Sequence, residues 1–441
     1  MANGGGFKRV LTFGGCMWLM VGGIISTWLY ILPGIVGGLA GPSSLLAWIV
    51  GAILTVAIGL CYAELATAFP KAGGPAVYPY ETLGGNKAVG SFLSCLEGVC
   101  VFFGNLIFVI ITAIMMAAYL CMLIPGAAAY TGIIAAIFVI LAYVVNLLGI
   151  KSTRDVNLGM LVMLIAVLAA CVISFFINIE PANFQPFFLH GTAGFVACLP
   201  MAVTSFGAWV TICSIAEEIK EPEKTIPKVI LCTIAVALVI QVIVMGATFG
   251  VVPPTAFVEG SAAMAAPLGY AAKTIGYRWL ITLIPISALL AGFTSVLVGM
   301  LGASRPLVAL GRNETFPKAF ASLTKRGIPG VALTLVAVVS VVLACFPEYF
   351  FKILVVGVLI GTGLPFGINI VSYIGLRYWR GDIEPAFRAP GGYVLPVIAF
   401  IVLGIGCVGL GSMEVLWSLV ALAVILGYFG IRALTHPCIL R

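Results

Sequence analysis

Charge is what this chain has least of. Asp, Glu, Lys and Arg make up 8% of its 441 residues and 62% are hydrophobic, whereas a soluble domain carries roughly 25% charged residues. That shortage excludes an ordinary water-facing surface. Histidine is nearly missing too: His190 and His436 lie far apart, both in polar ends. Twelve cysteines are present, but there is no C-x-x-C pair. Cys16, Cys61, Cys121, Cys171, Cys232 and Cys407 sit inside apolar runs and read as small core residues rather than disulfides or metal ligands. With no nucleophile–base pair and no ligand cluster in view, a membrane enzyme is disfavoured, and no metal and no cofactor is expected. No cleavable leader is expected either, because Met1–Arg9 is short and basic but no convincing cleavage site follows it.

What the chain has instead is apolar length. Runs long enough to cross a bilayer fall at 11–37, 44–69, 90–123, 131–149, 157–178, 194–216, 228–251, 278–310, 330–346, 349–376, 393–411 and 414–434. Twelve spans put both termini on one side of the membrane. With that side cytoplasmic, all of the Lys and Arg except Lys273, Arg278 and Lys352 fall inside, a strong positive-inside bias. The bias accounts for the net charge of +7 without nucleic acid or any other anionic partner. The prediction is therefore a multi-pass protein of the plasma or inner membrane, with the lipid bilayer as its surroundings.

The first span is unusual. Val21-Gly22-Gly23-Ile24-Ile25-Ser26-Thr27-Trp28-Leu29-Tyr30-Ile31-Leu32-Pro33-Gly34 holds a glycine pair, two hydroxyl residues and Pro-Gly where a lipid-anchoring helix needs none of them. A glycine interface for close helix packing is one explanation. A helix broken halfway across is the other. Its freed backbone groups must then be buried in protein or line a cavity, where the following half-helix can face a carboxylate.

The second span ends in Tyr62-Ala63-Glu64-Leu65, followed by Phe69-Pro70-Lys71-Ala72-Gly73-Gly74-Pro75 and the tyrosines Tyr78 and Tyr80. In the sixth, Phe206-Gly207-Ala208-Trp209 runs on to Glu217-Glu218-Ile219-Lys220-Glu221-Pro222-Glu223-Lys224-Thr225-Ile226-Pro227. Together with the opening stretch, these segments resemble the amino acid–polyamine–organocation (APC) superfamily of permeases and antiporters across essentially the whole chain. Gly311-Arg312-Asn313 with Phe316-Pro317, and Phe387-Arg388-Ala389-Pro390, are weaker matches.

The resemblance implies an all-α fold of the leucine-transporter type, one transmembrane domain over 1–441. Spans one to five (11–178) and six to ten (194–376) would form inverted repeats, and spans eleven and twelve (393–434) would lie outside them. Paired interruptions in two halves also point by themselves to a midplane site. The second is the less obvious, with Gly207 and Ala208 loosening the helix, helped by Ser205 and Pro200.

The expected substrate site is Gly23, Ile25, Ser26, Thr27 and Trp28 from the first break, Asn105 from span three, and Phe206, Gly207, Ala208 and Trp209 from the second. Backbone N–H groups and the Thr27 hydroxyl would hold a carboxylate. Carbonyls near Phe206 and Gly207 would meet the ammonium, with an aromatic covering the ligand. Trp28 stands where the family keeps a glycine, so either the indole turns away or the pocket is reshaped. Asn105 suits interhelical hydrogen bonding equally well. Glu97, an intramembrane carboxylate, is a candidate for gating, proton transfer or pairing with an amine, against a residue solvated at the interface or paired with Lys87. Glu64 reads as structural, and Glu217 and Glu218 as partners for Arg305.

Arginine-selective relatives carry a glutamate at the position of Val210, and an aromatic where this chain has Gly299 or a neighbour; both departures argue against a cationic side chain. Some proton-coupled relatives place a lysine in span five. Here 157–177 holds no ionisable residue and Leu164 looks like the matching position. The expected activity is secondary transport of neutral L-amino acids by exchange. An amino acid/amine antiporter, a proton-coupled symporter and a transport-dead nutrient sensor are the alternatives, and homodimerisation stays open.

Overall fold

The computed structural model describes residues 7–25, 28–83, 87–259, 261–347 and 359–407, with Gly427. Regular structure among the described residues is helical. In chain order the helices are α1 (Phe13–Ile24), α2 (Trp28–Ala40), α3 (Ser44–Ala68), α4 (Tyr78–Thr82), α5 (Lys87–Leu123), α6 (Thr131–Leu147), α7 (Ile150–Ile177), α8 (Gly191–Ser205), α9 (Val210–Ser214) and α10 (Pro222–Val251). They continue as α11 (Ala262–Ala265), α12 (Pro267–Thr274), α13 (Arg278–Arg312), α14 (Gly330–Ala344), α15 (Leu364–Trp379) and α16 (Val394–Cys407). Among the described residues, seven helical stretches are long and apolar enough to cross a membrane by length and composition. This is a polytopic membrane protein. Helices dominate because in hydrocarbon every backbone N–H and C=O must be satisfied within its own segment. The stretch 414–434 lies outside the described residues except for Gly427, and 349–376 is described only from Leu359 onward.

The first span breaks. α1 ends at Ile24, Ile25 leaves helical geometry at ψ 70°, and α2 starts at Trp28. Ser26 and Thr27 lie outside the described residues. Pro33 is not the break but sits within α2. Hydroxyls from α13 serve the end of α1: Thr294 Oγ1 donates to the Gly22 carbonyl at 2.9 Å, and Ser295 Oγ lies 3.4 Å from the carbonyls of Gly22 and Gly23.

The sixth span is interrupted more gently. α8 passes through Phe206 into a 3-10 turn at Gly207–Trp209 and resumes as α9, with Phe206, Trp209 and Val210 all keeping right-handed helical angles. The helix tightens here rather than unwinding, the kind of local 3-10 stretch that marks a hinge or a strained segment. A third irregularity is a π-helical turn at Leu359–Gly363 leading into α15.

At one end of the bundle the charged loops close through ion pairs, buried at Arg305–Glu218 and more exposed at Arg312–Glu217. Arg305 Nε and Nη2 bond to Glu218 Oε1 at 3.1 and 3.0 Å, and Arg312 takes Glu217. Arg377 grips Glu64, which also accepts from the Ala389 N–H at 2.6 Å. The partners read from the sequence for Arg305 therefore divide between two arginines, and Glu64 serves as a structural anchor. The N-terminal segment joins this end through Val10 and Leu11, whose N–H groups donate to the Glu218 carbonyl at 2.9 and 3.0 Å.

Candidate functional site

The two interruptions meet. A Cβ built on Gly23 would lie 3.3 Å from the Ala208 Cβ and 3.0 Å from Val298 of α13, while Gly207 has open space beside it. Around this junction is a cavity of about 320 Å³. Gly23 and Trp28 line it from the first break, Gly207 and Ala208 from the second, and Asn105 from α5. Trp28 thus contributes to the cavity wall, so the pocket is reshaped relative to one built with glycine there. Asn105 bonds within its own helix, Nδ2 to the Val101 carbonyl at 2.9 Å. A Cβ on Gly302 would run into its amide oxygen and lie 2.9 Å from Thr211 Oγ1, which places the amide against α13 and α9.

Three expected site residues stand elsewhere. Ile25, Phe206 and Trp209 are buried at 1%, 0% and 0% exposure, and none is among the residues lining the cavity. Trp209 stacks on Phe366 with ring centroids 6.1 Å apart and meets Tyr62 edge-on at 5.1 Å. Those two rings line the cavity and Trp209 backs them. Spacing along one helix could not reveal this, because Phe366 arrives from α15. The sequence reading missed Tyr62 and Phe366 as wall residues. Tyr62 carried a signal, since it opens the Tyr62-Ala63-Glu64-Leu65 motif, and Phe366 follows a proline in an apolar run.

No Asp, Glu, Lys, Arg or His lines the cavity among the described residues; the wall is mainly aliphatic and aromatic, with polar groups at Asn105, Thr204, Ser205, Thr211 and Thr362. Glu97 sits behind that wall. It is fully buried, which removes the solvated-interface reading, and the Lys87 side chain lies outside what is described. Its Oε1 accepts from Asn369 Nδ2. The same nitrogen is 2.9 Å from the Tyr62 hydroxyl and 3.0 Å from the Pro365 carbonyl. Glu97 Oε2 and Asn369 Oδ1 find no hydrogen-bond partner among the described residues. A buried carboxyl is thereby joined to the cavity through one amide and one phenol.

On α7, the residue against the first break is Asn157. It is fully buried, both of its amide atoms lack partners among the described residues, and a Cβ on Gly22 would overlap its side chain. Leu164, expected at this place, is buried in the apolar core instead.

An all-helical membrane bundle with a substrate-sized cavity at two helix interruptions belongs to the class of carriers rather than catalysts. The chain is a member of the amino acid permease family, whose model matches residues 11–430. It is 28% identical to the branched-chain amino acid permease BcaP of Bacillus subtilis (strain 168) over 438 residues, covering 92% of this chain and 90% of the relative. BcaP of Lactococcus lactis subsp. cremoris (strain MG1363) is 27% identical, with 94% and 90% covered. The aspartate-proton symporter of B. subtilis is 26% identical, with 91% and 79% covered. The protein is therefore a transporter of the amino acid permease type, not an enzyme.

The Gly22–Asn157 contact yields a size-exchange prediction. Overpacking a filled core costs about 1–3 kcal/mol, so Gly22→Ala should lower the melting temperature of the purified protein and cut transport about tenfold or more. Gly22→Ala with Asn157→Ala should recover most of both losses. A double variant no better than Gly22→Ala would show that the Asn157 side chain is not what Gly22 accommodates.

Proposed function

We propose that the protein is a secondary transporter of neutral L-amino acids with apolar side chains, working by alternating access and by exchange across the plasma membrane. The observation that carries the reading is the cavity between the two interruptions, with no Asp, Glu, Lys, Arg or His in its wall among the described residues. A zwitterion brings one charge of each sign, and broken helix ends can meet both without a counter-ion: the N-terminal end of α2 the carboxylate, and the carbonyl end of α8 the ammonium. Ser26, Thr27 and Trp28 are the proposed carboxylate partners, with the Gly207 carbonyl, Gly23, Ala208 and Asn105 completing the site. An aliphatic side chain gains from apolar walls, whereas a guanidinium or amine would enter them unpaired. Relatives named as branched-chain permeases agree with this substrate class. Twelve spans with inverted repeats at 11–178 and 194–376, and both termini cytoplasmic, complete the proposal.

Exchange is favoured because the α7 residue facing the first break, Asn157, carries no charge. A second reading, proton coupling, is supported by the buried Glu97, whose Oε2 has no partner among the described residues. Both are tested by reconstituted protein in liposomes. Leucine, isoleucine, valine and methionine should exchange at least about tenfold faster than arginine, lysine, aspartate or agmatine; equal rates for the cationic compounds would overturn the substrate class. A pH gradient alone should not drive leucine accumulation. If it does, and Glu97→Gln abolishes the accumulation while leucine exchange persists, the carrier is proton-coupled through Glu97. Binding of leucine with no flux of any kind would make it a sensor.

A further inference from the structure

A polar side chain in mid-membrane needs a reason, and α10 carries one in Gln241, 3% exposed. The indole Nε1 of Trp48 on α3 lies 2.8 Å from its amide. An indole N–H can only donate, so the facing atom must be the oxygen, and the orientation of the amide follows. Ser205 Oγ lies 3.1 Å from that oxygen, and Gln241 Nε2 reaches the Ser205 carbonyl at 3.5 Å. The amide nitrogen therefore reaches the carbonyl of the last residue of α8. A hydroxyl has one proton to donate, and the Ala202 carbonyl, 2.7 Å from Ser205 Oγ, competes for it with the Gln241 oxygen.

The location matters. Ser205 lines the cavity, and directly after it the chain tightens into the 3-10 turn at Gly207–Trp209. α3 and α8 touch closely here, since a Cβ on Gly51 would lie 2.5 Å from the Ala202 Cβ. Trp48 and Gln241 thus fasten the end of α8, beside the cavity, to two neighbouring helices.

We propose that Trp48 and Gln241 are positioning residues for substrate: through Ser205 they hold the carbonyl end of α8 in the orientation that receives the ammonium of the amino acid. The proposal rests on the transport reading above. It places the aim of one binding group in a hydrogen-bonded relay that never touches the ligand.

The test uses full-length protein in liposomes with Gln241→Leu, Trp48→Phe and the double variant, scoring leucine exchange per reconstituted molecule. Each single variant should raise KM about five- to twentyfold with the maximal rate within about twofold of wild type. The double variant should be no worse than the worse single one, because both act through the same amide. An unchanged KM, or a fall in maximal rate at unchanged KM, overturns the proposal, since general loosening of the bundle gives the second pattern. Hydrogen exchange at the backbone amides of 203–210 without substrate supplies an independent readout. Faster exchange there in both variants, with 131–147 unaffected, supports the clamp even if wild type exchanges no leucine, a result that would reject the transport reading alone. Unaltered exchange at 203–210 overturns the clamp.

Discussion

Replacing Glu218 with glutamine is expected to destabilise the protein by about 3–5 kcal/mol, because it strips a buried guanidinium of its counter-charge. The side chains of Arg305 and Glu218 are 3% and 4% exposed. Burial pushes the Glu218 carboxyl above the usual carboxylate range, with the charge and hydrogen bonds of Arg305 pulling it back. The pair is thus one in which desolvation weighs heavily against attraction. Such pairs are costly to break and cheap to replace whole. Glu218→Leu combined with Arg305→Met should therefore recover most of the loss, measured as thermal unfolding of the purified protein. A double variant as unstable as Glu218→Gln would mean that the pair supplies net stability. The same residues hold the N-terminal segment, through the Glu218 carbonyl and through Phe7, whose ring lies under the guanidinium groups of Arg305 and Arg312 at 5.7 and 5.6 Å.

Trp209→Ala should be about as damaging, for a different reason. Read from the sequence, Trp209 covers the substrate, and its loss weakens binding without harming the fold. In the structure the indole is fully buried between Tyr62 and Phe366, so truncation leaves a void and should cost about 3–5 kcal/mol. Trp209→Phe retains a ring in the stack and removes an Nε1 that has no partner among the described residues. It should be much milder, since removing an unsatisfied donor offsets part of the lost volume. Thermal unfolding decides: an alanine variant melting within about 2 °C of wild type would return Trp209 to the ligand face. Substrate affinity should fall in the alanine variant too, because Tyr62 and Phe366 lose their support.

The first break was legible in the residues because it is chemically conspicuous. Gly22-Gly23 followed by Ser26-Thr27 contradicts the needs of a lipid-facing helix, and contradictions of that kind mark cavities. The second interruption was legible only to within a turn. Its tightening keeps every angle of Phe206, Trp209 and Val210 helical, so composition gives little warning. Assignment of side chains to the cavity failed where the wall came from elsewhere. Phe366 displaces Trp209 from the ligand face, and Asn157 takes the place assigned to Leu164 against the break.

The sequence alone determined the membrane setting, the positions of the long helices, the first break and the family, because each is written in runs of apolar residues or in contiguous motifs. Which aromatic meets the cavity, which carboxylate each arginine takes, and what Glu97 touches were decided by tertiary structure. Those depend on helices hundreds of residues apart: Asn369 reaching Glu97, Arg377 reaching Glu64, Gln241 reaching Trp48. Periodicity reports which face of a helix is apolar. In a membrane every face is apolar, so it cannot report which neighbour that face meets.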